Sequence, residues 1–459
     1  MADDCRKPIQ AEFKRMPLGH GDPPLRWMGP FSLHPSHFTL PPSSCILPGM
    51  TETIYLDNNA TTRTAPEVLE AMRPFLDEMY FNPSSVYEAA RAPRDAVATA
   101  RKTVARSLGA RPDEILFTGC ATESNNTTIF GTIAANPGRK HIVTTGVEHP
   151  AVFEVAGELR RRGIEVDFVP VDRTGRLDIS AYVRALRPDT LLVSAMHANN
   201  ETGVIFPVAD IARIAKETNP SIVVHTDATQ TAGKLPIDLR GDLKHVDLLS
   251  LSGHKLHAPK GIGALFVRRG TPCRPFMLGG HQEDGRRAGT ENVAFIVGLA
   301  RALDLADEHH EEDERRIRIL RDRLETALSE AIPYSEVNGG DVERLSNTLN
   351  LAIHFIEGEG MLYQLSAEGI CASSGSACTS GSLEPSHVLR AMSVPFTAVH
   401  GSIRFSLSRY TTEAEIDRVI EVFPPIVANL RRLSPFWDAE ANAPRPEAEP
   451  LMHQTEMPV

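Results

Sequence analysis

A lysine and an aspartate in the central part of the chain could together act on a carbonyl compound. Lys255 ends the run SGHK, and Asp227 begins the run DATQ, which follows an apolar stretch. A lysine amine can hold an aldehyde as a Schiff base when its surroundings favour the neutral nucleophile. A carboxylate that faces a pyridine nitrogen keeps that ring protonated, so that electrons released at a substrate carbon can enter it. Together the two residues predict a pyridoxal phosphate site, although either one alone would more often be a solvated lysine or a turn aspartate.

Small residues follow the first predicted strand of the large domain, in the run GCATES at positions 119–124. Backbone N–H groups at the start of a helix can hold a phosphate, and Thr122 would add its hydroxyl. Such a run is more often an ordinary helix cap when it stands alone. Its position directly before the strand series favours the phosphate interpretation.

The elements that must position these residues alternate between apolar strands and amphipathic helices. This alternation predicts an α/β fold with a mainly parallel, helix-covered sheet, in which ligands gather beyond the carboxyl ends of the strands. The predicted strands are 115–118, 141–145, 166–169, 191–195, 222–225, 248–250 and 264–267, and the main predicted helices are 89–108, 151–162, 208–217 and 294–328.

Composition limits the class of protein. The 459 residues, 41% of them hydrophobic, can bury a large core that divides into two or more units. A formal charge of -11 argues against a nucleic-acid surface. Six cysteines without dense spacing, and apolar runs shorter than a membrane span, favour a protein of the reducing cytoplasm without a membrane partner. We expect a disordered extension over 1–50, a segment joining the small domain over 51–65, a large cofactor-binding domain over 66–305, a small α+β domain over 306–437 and a disordered tail over 438–459.

Six motifs in order resemble the cysteine desulfurases, which are fold-type I pyridoxal phosphate enzymes of the class-V aminotransferase family, and most closely their nitrogen-fixation (NifS) branch. The motifs are LDNNATT at 56–62, ATESN at 121–125, MHANNE at 196–201, DATQ at 227–230, SGHK at 252–255 and SSGSACTS at 373–380. The resemblance implies a sulfurtransferase that converts L-cysteine to L-alanine.

The resemblance also implies a role for each matching residue. Lys255 would carry the cofactor aldehyde, Asp227 would pair with the ring nitrogen, Gln230 would contact the ring hydroxyl and His149 would lie against the ring as an acid or base. The residues implied to hold the phosphate are Ala121, Thr122, Ser252 and His254, with Thr290 donated by the second subunit of a homodimer. Asn200 and Arg404 match positions that bind the substrate carboxylate, which a guanidinium can hold through two parallel hydrogen bonds.

Cys378 decides the specific reaction that the resemblance implies. It stands in a Ser- and Gly-rich stretch, 372–382, which we expect to be a mobile loop. Its thiolate would take sulfur from the substrate as a persulfide and carry it to an iron–sulfur scaffold protein of the NifU type, for nitrogenase cluster assembly. Cys378 could also ligate a nascent iron–sulfur cluster transiently. A free cysteine is more often a buried structural residue, which is what we expect of Cys120, Cys273 and Cys371.

Two alternatives remain open at the level of sequence. A selenocysteine lyase, or another pyridoxal phosphate lyase, could use the same fold. A catalytically silent sulfur-transfer scaffold could keep the cofactor for structure alone. The presence of Lys255, Asp227, His149 and Cys378 together favours the desulfurase over both.

Overall fold

The computed structural model describes residues 53–374 and 385–455. Cys378 and the expected disordered extension, 1–50, therefore lie outside the described residues. The strands are β1 (Ile54–Tyr55), β2 (Ile115–Thr118), β3 (His141–Thr145), β4 (Glu165–Val169), β5 (Thr190–Ser194), β6 (Val223–Asp227), β7 (Leu248–Ser252), β8 (Gly263–Val267), β9 (Ser335–Val337), β10 (Thr348–Ile353), β11 (Ile370–Cys371), β12 (Ser402–Ser406), β13 (Trp437–Asp438) and β14 (Ala443–Pro444). The α-helices are α1 (Pro66–Met72), α2 (Pro74–Asp77), α3 (Arg91–Ser107), α4 (Ala121–Ala135), α5 (Pro150–Arg161), α6 (Ile179–Ala185), α7 (Val208–Thr218), α8 (Val293–Ala331), α9 (Gly358–Ala367), α10 (His387–Ala391), α11 (Phe396–Val399) and α12 (Glu413–Arg431).

The central sheet has the strand order β2-β8-β7-β6-β5-β3-β4. Strand β8 is antiparallel to both of its neighbours, and the other strands all run in one direction. Strands β5, β6 and β7 are buried along their whole length, as expected where helices cover both faces of a parallel sheet. All seven predicted strands lie in this sheet, so the prediction of a mainly parallel, helix-covered α/β fold is confirmed.

Helix α8 contributes to two separate apolar cores. Residues of its first half, including Val293, Leu299 and Leu303, pack in the core under the central sheet. Residues of its second half, including Leu320 and Leu324, pack in a second core with the antiparallel sheet β12-β10-β9 and the helices α9 and α12. The boundary predicted between residues 305 and 306 stays a prediction, because α8 runs through that position without interruption.

The amino-terminal segment runs beside the second core. Strand β1 pairs in parallel with β11, and Asp57 forms an isolated bridge with Ser406 of β12. The chain then crosses toward the central sheet, where the backbone N–H of Thr62 donates to the carbonyl of His254. The segment 57–62 is therefore held between the two cores.

The carboxyl-terminal tail differs from the sequence-based expectation of disorder from residue 438. Strands β13 and β14 form an antiparallel pair, followed by a short 3-10 helix, Glu449–His453. Trp437 and Ala448 are buried against Phe355, and the guanidinium of Arg431 lies 4.2 Å from the centre of the Trp437 ring. The Pro- and Glu-rich composition of the tail predicts disorder, but a few apolar residues bury enough surface to order it as far as residue 455.

No helix in the described ranges has both the length and the apolar character that crossing a bilayer would need.

Candidate active site

A cavity of about 390 Å³ opens at the carboxyl ends of β6 and β7, where ligands of parallel sheets are expected. Asp227 is the last residue of β6 and Ser252 the last of β7. The cavity brings together ten of the residues implied by the resemblance, which are Ala121, Thr122, His149, Asn200, Asp227, Gln230, Ser252, His254, Lys255 and Arg404. Asn59, Cys120 and Asn125 complete much of the wall.

Lys255 enters the cavity from a tight turn. The 3-10 turn Gly253–Lys255 follows β7 directly, and a Cβ on Gly253 would lie only 2.9 Å from a methyl carbon of Ile262. A side chain at position 253 would therefore displace the turn that aims the lysine. The Lys255 Nζ atom donates to the carbonyl oxygens of Asn59 at 2.6 Å and Ala60 at 2.7 Å. These bonds hold the amine at the cavity wall formed by the amino-terminal segment.

Asp227 is buried, with both carboxylate oxygens engaged. Its Oδ2 accepts a hydrogen bond from Asn125 Nδ2 at 2.7 Å, and its Oδ1 accepts from the backbone N–H of Thr229 at 2.9 Å. Asn125 belongs to α4, one turn after Ala121. The same helix therefore contributes to the candidate phosphate site and orients the Asp227 carboxylate.

His149 caps the start of α5, and its ring is held in one tautomer. The Nδ1 atom accepts a hydrogen bond from the backbone N–H of Ala151 at 3.1 Å, so a neutral ring carries its proton on Nε2. Burial lowers the pKa of His149, the charge of Asp227 opposes that change, and Lys255 and His387 add to it. The imidazole is therefore mainly neutral near pH 7.

Glu148, beside His149, is a buried carboxyl group that the sequence-based reasoning did not single out. Burial raises the pKa of Glu148 to about 8. Its Oε1 accepts hydrogen bonds from the Thr145 hydroxyl at 2.8 Å and from the backbone N–H of Met196 at 2.9 Å. Its Oε2 has no hydrogen-bond partner in the described residues. A proton on Oε2 lets this side chain link β3 to the end of β5 without a buried charge.

The cavity wall near α4 has unfilled hydrogen-bonding capacity. In the described part of the chain, the side chain of Cys120, the N-cap residue of α4, makes no capping hydrogen bond. The hydroxyl of Ser252 is buried and finds no partner among the described residues. The His254 ring is oriented by a 3.1 Å hydrogen bond between its Nδ1 and the Thr61 hydroxyl, and burial lowers the pKa of His254 to about 4. A phosphate group would satisfy the helix N–H groups and the Ser252 hydroxyl together.

Arg404 lies on β12 and lines the same cavity. Only 2% of its surface is exposed. Its Nη2 donates to Asp57 Oδ1 at 2.7 Å and its Nη1 to the carbonyl oxygen of Asn200 at 2.9 Å. The buried Nε has no partner in the described part of the chain. Asp57 and Asn200 thus fix the guanidinium plane, while Nε and further N–H groups remain for a carboxylate ligand.

Two implied site residues are not among the described residues that line the cavity. Thr290 is exposed and lines a different, smaller pocket beside Glu291 and Asn292, so its role in a partner's site stays a prediction. Cys378 falls outside the described residues, but both flanks of the segment 375–384 are anchored near the cavity. Before it, the backbone of Ser373 pairs with that of Arg404; after it, His387 Nε2 lies 2.9 Å from the carbonyl oxygen of Glu148.

Two of the described cysteines, Cys273 and Cys371, differ in environment from a reactive thiolate. Burial raises the pKa of Cys273 to about 11. Burial, and then the charge of Asp57, raise the pKa of Cys371. Within 53–374 and 385–455, no group of three or more His, Cys, Asp or Glu side chains could hold a metal ion.

Comparison with known proteins identifies the family. The model of the family described as aminotransferase class-V matches residues 54–419. The chain belongs to the class-V aminotransferases. It is 54% identical over 400 residues to a protein named cysteine desulfurase 2 from Trichormus variabilis, covering 87% of this chain and 99% of that protein. It is 53% identical over 385 residues to cysteine desulfurase NifS from Azotobacter vinelandii, covering 84% of this chain and 95% of that protein.

Solved structures are similar to the chain as well. A NifS-like protein aligns with a TM-score of 0.78 and 39% identity, covering 83% of this chain and all of that one. A structure of DndA from Streptomyces lividans aligns with a TM-score of 0.65 and 38% identity, covering 78% of this chain and 99% of that one. These comparisons confirm the resemblance to cysteine desulfurases that the six motifs carry.

Class-V aminotransferases use pyridoxal phosphate, and the cavity fits that cofactor. The amine of Lys255 can bind the aldehyde, and the carboxylate of Asp227 can meet the ring nitrogen. The first turn of α4 and the unpartnered Ser252 hydroxyl can take the phosphate. Asn125, Asp57 and Glu148 are the supporting residues that the sequence-based reasoning did not assign. Asn125 lies four residues after Ala121, and this helical spacing could have indicated that both residues face the cavity.

Proposed function

We propose that this class-V aminotransferase is a cysteine desulfurase, which converts L-cysteine to L-alanine and delivers the sulfur for iron–sulfur cluster assembly. The observation that carries the proposal is a single cavity lined by Lys255, Asp227 and Arg404. The desulfurase relatives, at 52–54% identity over nearly their whole length, support the same reaction.

Arg404 gives the cavity its preference for an amino acid. A guanidinium with an unpartnered, buried Nε can take a carboxylate through two parallel hydrogen bonds. Asp57 and the carbonyl oxygen of Asn200 orient the guanidinium before the substrate arrives. The substrate amino group would then lie toward Lys255, the residue whose amine would hold the cofactor aldehyde.

Lys255 and His149 carry the proton transfers. The Lys255 amine would take a proton from the substrate α-carbon and return it to a neighbouring atom. His149, mainly neutral with its proton on Nε2, can donate or accept in the same space. When bound, pyridoxal phosphate supplies an electron sink for the substrate carbon, and Asp227 supports that role by keeping the ring nitrogen protonated.

Cys378 accepts the sulfur. Its thiolate attacks the sulfur of the bound cysteine, an S–S bond forms, and the carbon–sulfur bond breaks with its electron pair left on carbon. Protonation of that carbon gives L-alanine, and Cys378 keeps the sulfur as a persulfide. Cys371 is a poorer nucleophile, because burial and Asp57 raise its thiol pKa and attack needs the thiolate.

The proposal includes a second subunit and a protein that accepts the sulfur. A homodimer would let Thr290 of each subunit contribute to its partner's phosphate site. The persulfide would pass to a NifU-type iron–sulfur scaffold protein in the cytoplasm, where Cys378 could ligate the nascent cluster transiently, and nitrogenase maturation would be the destination. The net charge of -11 argues against a nucleic-acid partner.

The test measures alanine released by purified holoenzyme from L-cysteine, with Cys378→Ala and Cys371→Ala alongside. We expect turnover by the wild type and Cys371→Ala, and retained cofactor without turnover in Cys378→Ala. Turnover on selenocysteine alone would support the lyase alternative. Bound cofactor without turnover, even with an acceptor protein present, would support the silent scaffold and overturn the proposal.

A further inference from the structure

Lys234 is an unusual lysine that the reaction described above does not use. It borders a second cavity, of about 70 Å³, which shares Lys255 with the larger one. Its Nζ donates to Gln230 Oε1 at 3.2 Å, and no carboxylate in the described residues forms an ion pair with it. Burial and the charges of Lys255 and Arg404 lower the pKa of Lys234 to about 7. A charged group without a counter-ion lowers the stability of the folded chain. The presence of a lysine at position 234 therefore calls for a functional reason.

The backbone conformation at Gly233 brings the Lys234 side chain against the Gln230 amide. The two residues are four apart, and Gly233 between them has a positive φ of 75°. A Cβ at Gly233 would lie 3.1 Å from Ala306 Cβ and 3.3 Å from Leu256 Cβ, so the backbone passes close to α8 and to the turn that carries Lys255. The Lys234 side chain therefore extends to the Gln230 amide, where its Nζ donates to Oε1.

The two polar neighbours of the Gln230 amide leave it only one favourable orientation. Lys234 offers only donors while it is charged, so it must face the amide oxygen. The carbonyl oxygen of Asn59 only accepts, and it lies 3.0 Å from the amide nitrogen. Rotating the amide by half a turn would set two donors against each other at one end and two acceptors at the other. The second hydrogen on Nε2 remains available to the cavity, which Gln230 lines.

We propose that Lys234 is a positioning residue, which fixes the Gln230 amide so that it can only donate a hydrogen bond to the ring oxygen of pyridoxal phosphate. A donor stabilises that oxygen as an anion, whereas a rotated amide would present a carbonyl oxygen and repel it. This inference rests on the proposed function, because Gln230 is a cofactor contact only if the cavity holds pyridoxal phosphate.

The test compares Lys234→Met, Lys234→Arg and, as a matched control, Lys244→Met, which changes an exposed lysine ten residues away. Each apoprotein is titrated with pyridoxal phosphate to obtain Kd, and the absorption bands of the bound cofactor are followed against pH. Thermal unfolding of each apoprotein reports on structural damage. The charges around Lys234 that could move the bands are Lys255, Arg404, His257, His310, Asp313 and Arg409.

For Lys234→Met we expect about a tenfold higher Kd for pyridoxal phosphate, which corresponds to the loss of one hydrogen bond. We also expect a shift in the pH at the midpoint of the change in the cofactor absorption bands. Apoprotein unfolding should not change by a comparable amount, because the substitution removes a buried charge. Lys234→Arg should restore the midpoint, and Lys244→Met should match the wild type. An unchanged Kd and midpoint in Lys234→Met would overturn the inference. Failure of the wild type to bind the cofactor through Lys255 would instead overturn the proposed function.

Discussion

Replacing Arg404 by lysine tests how the cavity selects its substrate. The change keeps a positive charge but removes the planar fork that can hold a carboxylate through two bonds. Arg404 is 2% exposed, and its contacts with Asp57 and Asn200 leave Nε without a partner among the described residues. Lysine can replace one of the two bonds to the substrate, so one charge-assisted hydrogen bond is lost.

The expected fall in kcat/KM follows from the loss of that one hydrogen bond. A hydrogen bond to a charged group contributes about 1.5–3 kcal/mol, which corresponds to a fall in kcat/KM of about 10- to 150-fold for Arg404→Lys. The substrate carboxylate does not react, so its bonds are equally strong in the ground state and the transition state. The loss should therefore appear mainly as a higher KM for L-cysteine, with a smaller change in kcat.

The assay is the initial rate of alanine release over a range of L-cysteine concentrations. Arg321→Lys is the matched control, because Arg321 is equally buried but donates to the carbonyl oxygens of Leu345 and Thr348, away from the cavity. We expect this control to lower thermal stability and leave KM within about twofold. An unchanged KM in Arg404→Lys, or an equal rise in Arg321→Lys, would refute the reasoning.

Two further predictions concern stability. Burial raises the pKa of Glu148 from 4.5 to about 8, so the folded chain retains a proton that the unfolded chain releases. As pH rises from about 4.5 to 8, the free energy of unfolding of the wild type should fall by about 3–5 kcal/mol relative to Glu148→Gln, and parallel pH curves in denaturant unfolding would contradict this. Trp437→Ala should cost about 3–5 kcal/mol in urea unfolding, because the ring is buried beside Phe355. Phe436→Ala, at a 42% exposed position, should cost far less, and equal losses would count against the ordered tail.

The strands of the central sheet could be predicted closely from sequence because each is a short apolar run between turn residues. The predicted bounds 115–118 and 141–145 coincide with β2 and β3, and helix α8 extends three residues beyond its predicted end at 328. Short continuous apolar runs in the strands, and helical spacing of apolar residues in α8, indicate such elements in a single sequence. The tail is different: its order depends on Trp437 and Ala448 meeting Phe355, a contact between distant parts of the chain that composition cannot reveal.

The residues of the candidate site also differ in whether sequence alone could predict them. Residues that react or bind directly, such as Lys255 and Asp227, stand in short motifs at strand ends, and so they could be found from sequence. The residues that orient them could not, because their roles arise from contacts across the fold. Asp57 reaches Arg404 across 347 positions, and Asn125 reaches Asp227 across 102. The dual contact of the Gln230 amide with Lys234 and Asn59 is equally invisible before the chain is folded.

The mass of the Cys378 peptide after one turnover tests the central claim most directly. Holoenzyme is mixed with one equivalent of L-cysteine without any acceptor, quenched, digested under non-reducing conditions and compared with a sample treated with a thiol reductant. The account predicts a mass gain of one sulfur atom, equimolar with alanine and removed by the reductant, with fragment-ion masses that place the sulfur on Cys378 and not on Cys371 of the same peptide. Alanine release without sulfur on Cys378, or sulfur on another cysteine, would contradict it.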